Sequence, residues 1–153
     1  MSRPLEGVRV LDLTNVLMGP LATQMLGDMG ADVVKVEAPG GDTVRGVGPG
    51  RSRGMGPIFL NLNRSKRSLV LDLKQEAARA ALKRLARSAD VFVSTIRPKA
   101  LARLGLGYAE LAAEKPDIIY AALVGYGQDG PYADLPAYDD LIQGASGVPS
   151  LLA

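Results

Sequence analysis

Side chains able to hold an anion crowd one stretch of this sequence. Between Asp42 and Lys74 lie Arg45, Arg51, Arg53, Arg64, Lys66, Arg67 and Lys74, opposed inside the stretch only by Asp42 and Asp72. A solvated basic loop is the plain reading of such a run; a bed for an anionic ligand is the functional one. Phe59 is the sole aromatic residue there. That is too little stacking surface for single-stranded nucleic acid, so a small polyphosphate ligand suits the stretch better. Glu37 ends an apolar run at the place where a carboxylate would hold a ribose hydroxyl; the other reading is a simple pair with a loop arginine. The chain has no cysteine and no histidine. Disulfides, thiolate metal sites and every Ser-His or Cys-His relay are therefore excluded, and no metal is expected. Chemistry would have to come from carboxylates, Lys, Tyr, Ser, Thr and backbone amides.

The elements that position these residues read as alternating strands and helices. VRVLDL (8–13) has the length and aliphatic content of a buried strand. TNVLMG is a turn, after which Pro20 opens a helix, PLATQMLGDMG, with Leu21, Met25, Leu26 and Met29 as the stripe that packs on the sheet. Gly30 supplies a left-handed stop, and DVVKVE (32–37) is the second strand. Strand, helix and strand within about thirty residues make a βαβ unit. Ligands of such sheets collect beyond the carboxyl ends of the strands, which places Thr14 to Gly19 and the segment after Glu37 at the mouth of a site. The glycine-rich APGGDTVRGVGPGRSRGMGP is expected to be a surface loop without regular structure, and its GVGPG matches no phosphate-loop pattern. SLVLDL (68–73) is the third strand. A helix begins at Lys74 and buries Ala78, Ala81, Leu82, Leu85 and Ala86. DVFVST, a short helix from Pro98, the helix YAELAAEK ended by Pro116, and the strand DIIYAALVG follow, then a loop and a helix within AYDDLIQGASG. This order predicts an α/β fold with a Rossmann-like parallel sheet flanked by helices.

With 153 residues, 47% of them hydrophobic, and a net charge of +2, the chain has the size and balance of one globular domain, 1–153. No signal segment or spanning apolar run is present, so a cytoplasmic location without membrane attachment is expected. GASGVPSLLA carries no stop signal, and the chain reads as cut short. A dinucleotide site is the first thought for such a βαβ unit. Its first turn, TNVLMGP, offers Gly19 alone, so a pyrophosphate could not come close to the helix N-terminus, and a dinucleotide oxidoreductase is disfavoured.

Four blocks carry a more specific signal: LEGVRVLDLTNVLMGPLATQMLGDMGADVVKVEAPGGD, NRSKRSLVLDLK, ADVFVSTIRPKALARLGLGY and GYGQDGPYADLPAYDDLIQGASG. In content and order they resemble the N-terminal part of the class III coenzyme A transferases, a family that includes formyl-CoA and carnitine CoA transferases and has α-methylacyl-CoA racemase as a relative. The resemblance covers nearly all of this chain and only part of the longer family chain. It implies a Rossmann-like domain that binds coenzyme A or acyl-CoA, a carboxylic acid as second substrate, and two chains interlocked as a homodimer. A second chain supplying the missing half is the alternative assembly; nucleic acid is not an implied partner.

Residue by residue, the positions that resemble the family's CoA contacts are Val16, Leu17 and Met18 in the first turn, then Leu71, Leu73 and Lys74. Thr95, Ile96 and Arg97 follow, then Arg103, and finally Val124, Gly125, Tyr126 and Gly127. Lys74, Arg97 and Arg103 would each give the carrier's phosphates a charge-assisted hydrogen bond, roughly 1.5–3 kcal/mol when shielded against about 0–1 in an exposed pair. Leu17, Met18 and Ile96 would flank the adenine or the pantetheine arm. Gly125, Gly127 and Gly130 would let backbone approach the reacting thioester, or they only punctuate a loop.

The departures are equally specific. Some members carry an arginine after the acidic end of strand two, where this chain has Ala38; Asn-Phe in the fourth turn is here Thr95-Ile96; and the racemase histidine is here Tyr138, before Asp139, which disfavours racemase activity. The family's nucleophilic aspartate lies beyond Ala153. Asp139 and Asp140 begin a helix, and N-capping or packing is their expected role. The resemblance thus implies the CoA-binding part of an acyl-CoA:carboxylate CoA-transferase, inactive alone. A non-catalytic CoA- or nucleotide-binding module is the alternative.

Overall fold

The computed structural model describes residues 3–152. The apolar runs form parallel strands β1 (Arg9–Leu13), β2 (Asp32–Glu37), β3 (Lys66–Val70), β4 (Val91–Ser94) and β5 (Ile119–Ala122). They lie in the order β3-β2-β1-β4-β5, every neighbouring pair parallel. Between them run α1 (Met18–Asp28), α2 (Pro57–Leu62), α3 (Glu76–Ala86), α4 (Pro98–Arg103) and α5 (Tyr108–Glu114). The expected α/β architecture is the observed one. The core gathers Leu11, Leu13 and Phe92 of the sheet with Leu82 and Ala86 of α3, Leu101 of α4 and Leu111 of α5. Each such leucine contributes about 1.5–3 kcal/mol through removal from water. Ring stacking of Phe92 on Tyr120, with centroids 5.1 Å apart, closes the β4–β5 end.

Helix α1 departs from its expected orientation. Leu21, Met25 and Met29 are exposed, as are Leu17 and Met18, while Gly19, Pro20, Thr23, Gln24 and Gly27 are buried. Close approach explains the reversal. A side chain at Gly19 would put its Cβ 2.4 Å from the Thr14 Cβ, so the helix sits too near β1 for leucine or methionine to fit between them. The hydroxyl of Thr23 donates to the buried Asp12 carboxylate at 2.6 Å. An unmet buried carboxylate is worse than an exposed methionine, so the polar face turns inward. The helix also starts at Met18, two residues before Pro20.

Other boundaries move for identifiable reasons. Strand β3 begins at Lys66 and ends at Val70, so Leu71 and Leu73 leave the sheet instead of extending it. The loop after β2 contains a 3-10 turn over Thr43–Gly46, begun by Asp42, whose carboxylate accepts from the Val44 N–H, and then α2, which opens on Pro57. Helix α3 starts at Glu76, not Lys74, because Asp72 accepts from the Lys74 N–H in the preceding turn. Strand β5 occupies only four residues of its apolar run.

Four charged side chains are buried together, from β1 (Asp12), β2 (Lys35), the segment after β2 (Asp42) and β3 (Lys66). Asp12 accepts from Thr14 and Thr23 and from the Lys66 ammonium at 2.9 Å. The Lys66 ammonium also donates to the Pro20 carbonyl and to Asn63. Lys35 donates to Asp42 at 2.9 Å and to the Thr14 carbonyl at 2.8 Å. All four side chains are at most 1% exposed. Burial lowers the affinity of the Lys66 amine for its proton, and the neighbouring Asp12 charge only partly offsets this.

Next to this cluster, Glu37 takes Arg45 as a two-pronged partner at 2.6 and 2.8 Å, with the Asp42 N–H at 2.9 Å and the Ser68 hydroxyl at 2.8 Å. Burial alone would push this carboxyl up. The Arg45 guanidinium and the two further donors outweigh it and hold the group at about 2, below its ordinary 4.5.

By contact density the chain forms two compact units, Met1–Ala122 and Leu123–Ala153. The second contains α6 (Asp139–Ser146) and α7 (Val148–Leu151). Tyr138, not Asp139, occupies the N-cap of α6, and no side chain caps it; Asp139 lies one residue inside and accepts from Gln143 at 2.7 Å. The expected capping role is therefore corrected.

Two predictions follow from these contacts. Asp12→Asn leaves the Lys66 ammonium without its counter-charge and should cost about 3–5 kcal/mol, whereas Met25→Gln should stay within about 0.5 kcal/mol. Urea unfolding measures both; an equal loss in the two variants would contradict the orientation of α1. A carboxyl held below its ordinary value stabilises the fold fully above that value, and the stabilisation fades as protons bind. The Glu37 contribution should thus fade as pH falls from about 4.5 to about 2. In Glu37→Gln the acid slope of stability should be shallower; an unchanged slope would contradict the Arg45 pairing.

Candidate functional site

At the carboxyl edge of β1, β2 and β3 the chain leaves the sheet in three places and encloses a cleft of about 380 Å³. Leu13, Asn15 and Val16 line it from the first turn, and Val36, Glu37, Ala38, Gly41 and Thr43 from the end of β2 and the segment after it. Leu71, Asp72, Leu73 and Lys74 come from the end of β3, and Ile96 and Leu104 from beyond β4. This is the crevice that the strand order marks: β1 is central, and its neighbours β2 and β4 send the chain in opposite directions across the sheet. The volume lies within the usual range for small-molecule sites, and apolar walls with few polar groups are their usual character.

The first turn is held tightly. Val16 has φ 71°, a left-handed conformation that a β-branched residue rarely adopts. Its N–H donates to Asp42 at 3.3 Å, and the Asn15 N–H donates to the Thr95 hydroxyl at 3.1 Å. The result presents Val16, Leu17 and Met18 as an exposed apolar edge at the start of α1.

Of the residues singled out in the sequence, Val16, Leu71, Leu73, Lys74 and Ile96 share this cleft. Leu17 and Met18 adjoin it in sequence and are exposed, while Thr95 turns its hydroxyl to the Asn15 backbone. Arg97, at the N-cap of α4, and Arg103, in its last turn, are exposed and make no ion pair among the described residues. Val124, Gly125, Tyr126 and Gly127 belong to the second unit. There Gly125 has a packing reason of its own, because a Cβ would fall 2.0 Å from that of Ala137, whereas Gly127 faces open space.

The basic stretch is more thoroughly neutralised than its local sequence implies. Arg45 pairs with Glu37, Arg64 with Asp28, Lys66 with Asp12 and Arg67 with Asp32. The Arg45–Glu37 pair is the loop-arginine reading of Glu37 realised, eight residues apart, whereas Asp12, Asp28 and Asp32 come from β1, α1 and β2, more than thirty residues from their partners and outside the stretch. Arg51, Arg53 and Lys74 remain as exposed cations without side-chain partners among the described residues. Glu37, engaged by Arg45 and Ser68, is not free to hold a ribose. Sequence reasoning missed Asp12, Lys35 and Asp42. For Asp12 and Lys35 the available signal was a charge flanked on both sides by apolar residues within a strand, which in a buried sheet has to find a partner; Asp42, in the segment after β2, carried no such signal.

Among the described residues no helix is long and apolar enough to cross a membrane, and no group of acidic side chains is placed to hold a metal ion. Residues 5–153 match the family model described as CoA-transferase family III. A succinate–glutarate CoA-transferase from Agrobacterium fabrum is 45% identical over 97% of this chain and 39% of its own length. The human succinyl-CoA:glutarate CoA-transferase is 44% identical over 95% of this chain and 34% of its own. A CaiB/BaiF family protein from Brucella suis superposes with a TM-score of 0.92 at 39% identity, over 97% of this chain and 40% of the other. The chain therefore spans well under half the length of these relatives. A five-stranded parallel sheet of this order, matched in sequence along almost its whole extent, makes the chain a member of CoA-transferase family III.

Proposed function

We propose that the chain is the coenzyme-A-binding part of an enzyme that moves CoA from an acyl-CoA to a carboxylic acid. The observation that carries this reading is the cleft at the carboxyl edge of the sheet, where Val16, Leu71, Leu73, Ile96 and Lys74 meet. Its apolar walls suit the flat face of an adenine or a pantetheine arm, and the Lys74 ammonium at the rim suits a phosphate. Leu17 and Met18 extend the apolar edge, and Arg97 and Arg103 stand free to meet the pyrophosphate or the 3′-phosphate. Ala38 lines the cleft where some family members carry an arginine, so cation contact with the nucleotide would have to come from Lys74 or from Arg51 and Arg53. Thr95 acts on the turn and Ile96 on the ligand, while Val124 to Gly127 are carried over by resemblance alone.

The transfer itself belongs to residues beyond Ala153. An aspartate carboxylate attacks the thioester carbonyl, the CoA thiolate leaves, and a mixed anhydride forms. The thiolate then attacks the aspartyl carbonyl, releasing the first carboxylate and leaving an aspartyl thioester, from which the second carboxylate takes CoA by the reverse steps. Relatives named for succinate, succinyl-CoA and glutarate support a carboxylate as the CoA acceptor and the thioester of a carboxylic acid as the donor. The working assembly is an interlocked homodimer or a pair with a second chain that supplies the remaining half. The 153 residues alone bind CoA and do not catalyse exchange.

Calorimetry with CoA and NADH tests this reading: CoA should bind and NADH should not, and the opposite order would end it. Lys74→Glu should weaken CoA about tenfold, equivalent to roughly 1.4 kcal/mol, and leave pantetheine unchanged. An equal loss for both ligands would argue against a phosphate role for Lys74.

A further inference from the structure

One of the two buried ion pairs described above, Lys35 with Asp42, lies directly behind the turn that lines the cleft. Lys35, in the middle of β2, is 1% exposed and Asp42 is fully buried. The Lys35 ammonium divides its protons between the Asp42 carboxylate at 2.9 Å and the Thr14 carbonyl at 2.8 Å. The other oxygen of Asp42 accepts from the Val16 N–H at 3.3 Å and from the Val44 N–H at 3.2 Å. Between these anchors the Asn15 N–H is taken by the Thr95 hydroxyl. Backbone groups of three successive residues are thus each held by a side chain from another segment, Lys35 in β2, Thr95 just past β4 and Asp42 after β2, and Val16 is kept at φ 71°.

We propose that Lys35 and Asp42 are positioning residues for ligand binding: a buried ion pair that holds the Thr14–Val16 turn in the strained shape the cleft requires. The proposal rests on the CoA-binding reading for its ligand and on the geometry above for the turn. An ion pair is a poor source of net stability in the interior, since desolvation consumes most of its attraction. Two apolar residues of similar size would fill the same space. What they could not do is accept the Val16 N–H and donate to the Thr14 carbonyl at once. Freed of both, a valine returns to the extended or right-handed regions that its branched Cβ favours. The Val16 side chain and the start of α1 then leave the wall of the cleft. The pair acts through the backbone and touches no ligand itself.

The test is the double variant Lys35→Met with Asp42→Leu, compared with Leu111→Ala. Leu111 is a fully buried core residue of α5, which packs on α3, and its truncation lowers stability without touching the turn. Two readouts are taken where all variants are folded: Kd for CoA by calorimetry, and hydrogen exchange of the Val16 amide by NMR. A weakening of CoA by about tenfold or more is expected in the double variant, through lost preorganisation, together with loss of Val16 amide protection. Leu111→Ala should keep both near the parent values. Retained protection and retained affinity in the double variant would overturn the proposal, as would an equal loss of affinity in Leu111→Ala. If the double variant does not fold, Asp42→Asn, which keeps an acceptor for Val16, takes its place. It should keep partial protection and intermediate affinity; parent-like values for both would count against the pair. If the parent chain fails to bind CoA, the ligand reading falls by itself. The amide still decides the geometry: loss of protection supports the pair as holder of the turn, and persistence refutes it.

Discussion

The structure depends on finding partners for charges that the sheet has taken out of water. Asp12 and Lys35 sit inside β1 and β2, where both faces of the sheet are covered. Each would be ruinous alone, because an unpaired charge in the interior loses its hydration without return. Asp12 is met by Thr23 and Lys66, and Lys35 by Asp42. These contacts decide which face of α1 turns inward, where β3 begins, and how the chain leaves β1 and β2. The shape of the cleft is therefore set from behind by electrostatics and only then lined with apolar side chains.

This ordering explains why a glycine fingerprint is unnecessary. In a dinucleotide site, small residues let the ligand come up to the helix terminus. Here the close approach is spent inside the protein, with Gly19 against Thr14, and the turn that faces outward is Val16, Leu17 and Met18. In the reading proposed above, such a turn would offer apolar surface to the ligand and leave phosphate binding to cations at the rim. Lys74, Arg97 and Arg103 are exposed and unpaired among the described residues, the state in which a cation can be recruited by a phosphate. Arg45 and Lys66, which share the same basic stretch, are consumed by Glu37 and Asp12.

Much of the architecture was legible because burial on both faces leaves a direct mark. VRVLDL, DVVKVE and DVFVST read as strands, and the Leu82–Ala86 face of α3 read as its buried side, since in each case apolar content alone decided the outcome. The orientation of α1 was not legible. Its apolar stripe pointed one way, while the need of Asp12 for the Thr23 hydroxyl and the tight contact at Gly19 pointed the other. Periodicity counts apolar side chains and carries no term for a buried carboxylate that needs a hydroxyl partner or for a close backbone approach. The pairing of the basic stretch was hidden for another reason: Asp28 and Asp32 lie before the loop, and nothing local links them to Arg64 and Arg67. The resemblance supplied the family. The placement of Val16, Leu71, Leu73, Lys74 and Ile96 around one cleft is a property of the folded chain.

The central claim, that this cleft receives the thiol carrier, is tested most directly by mapping backbone amide NMR shifts during titration with CoA. The account predicts saturable changes at Asn15, Val16, Leu71, Leu73, Lys74 and Ile96, with the amino ends of the strands, such as Arg9 and Asp32, unmoved. Saturable changes confined to those amino ends, with the cleft residues silent, would contradict it.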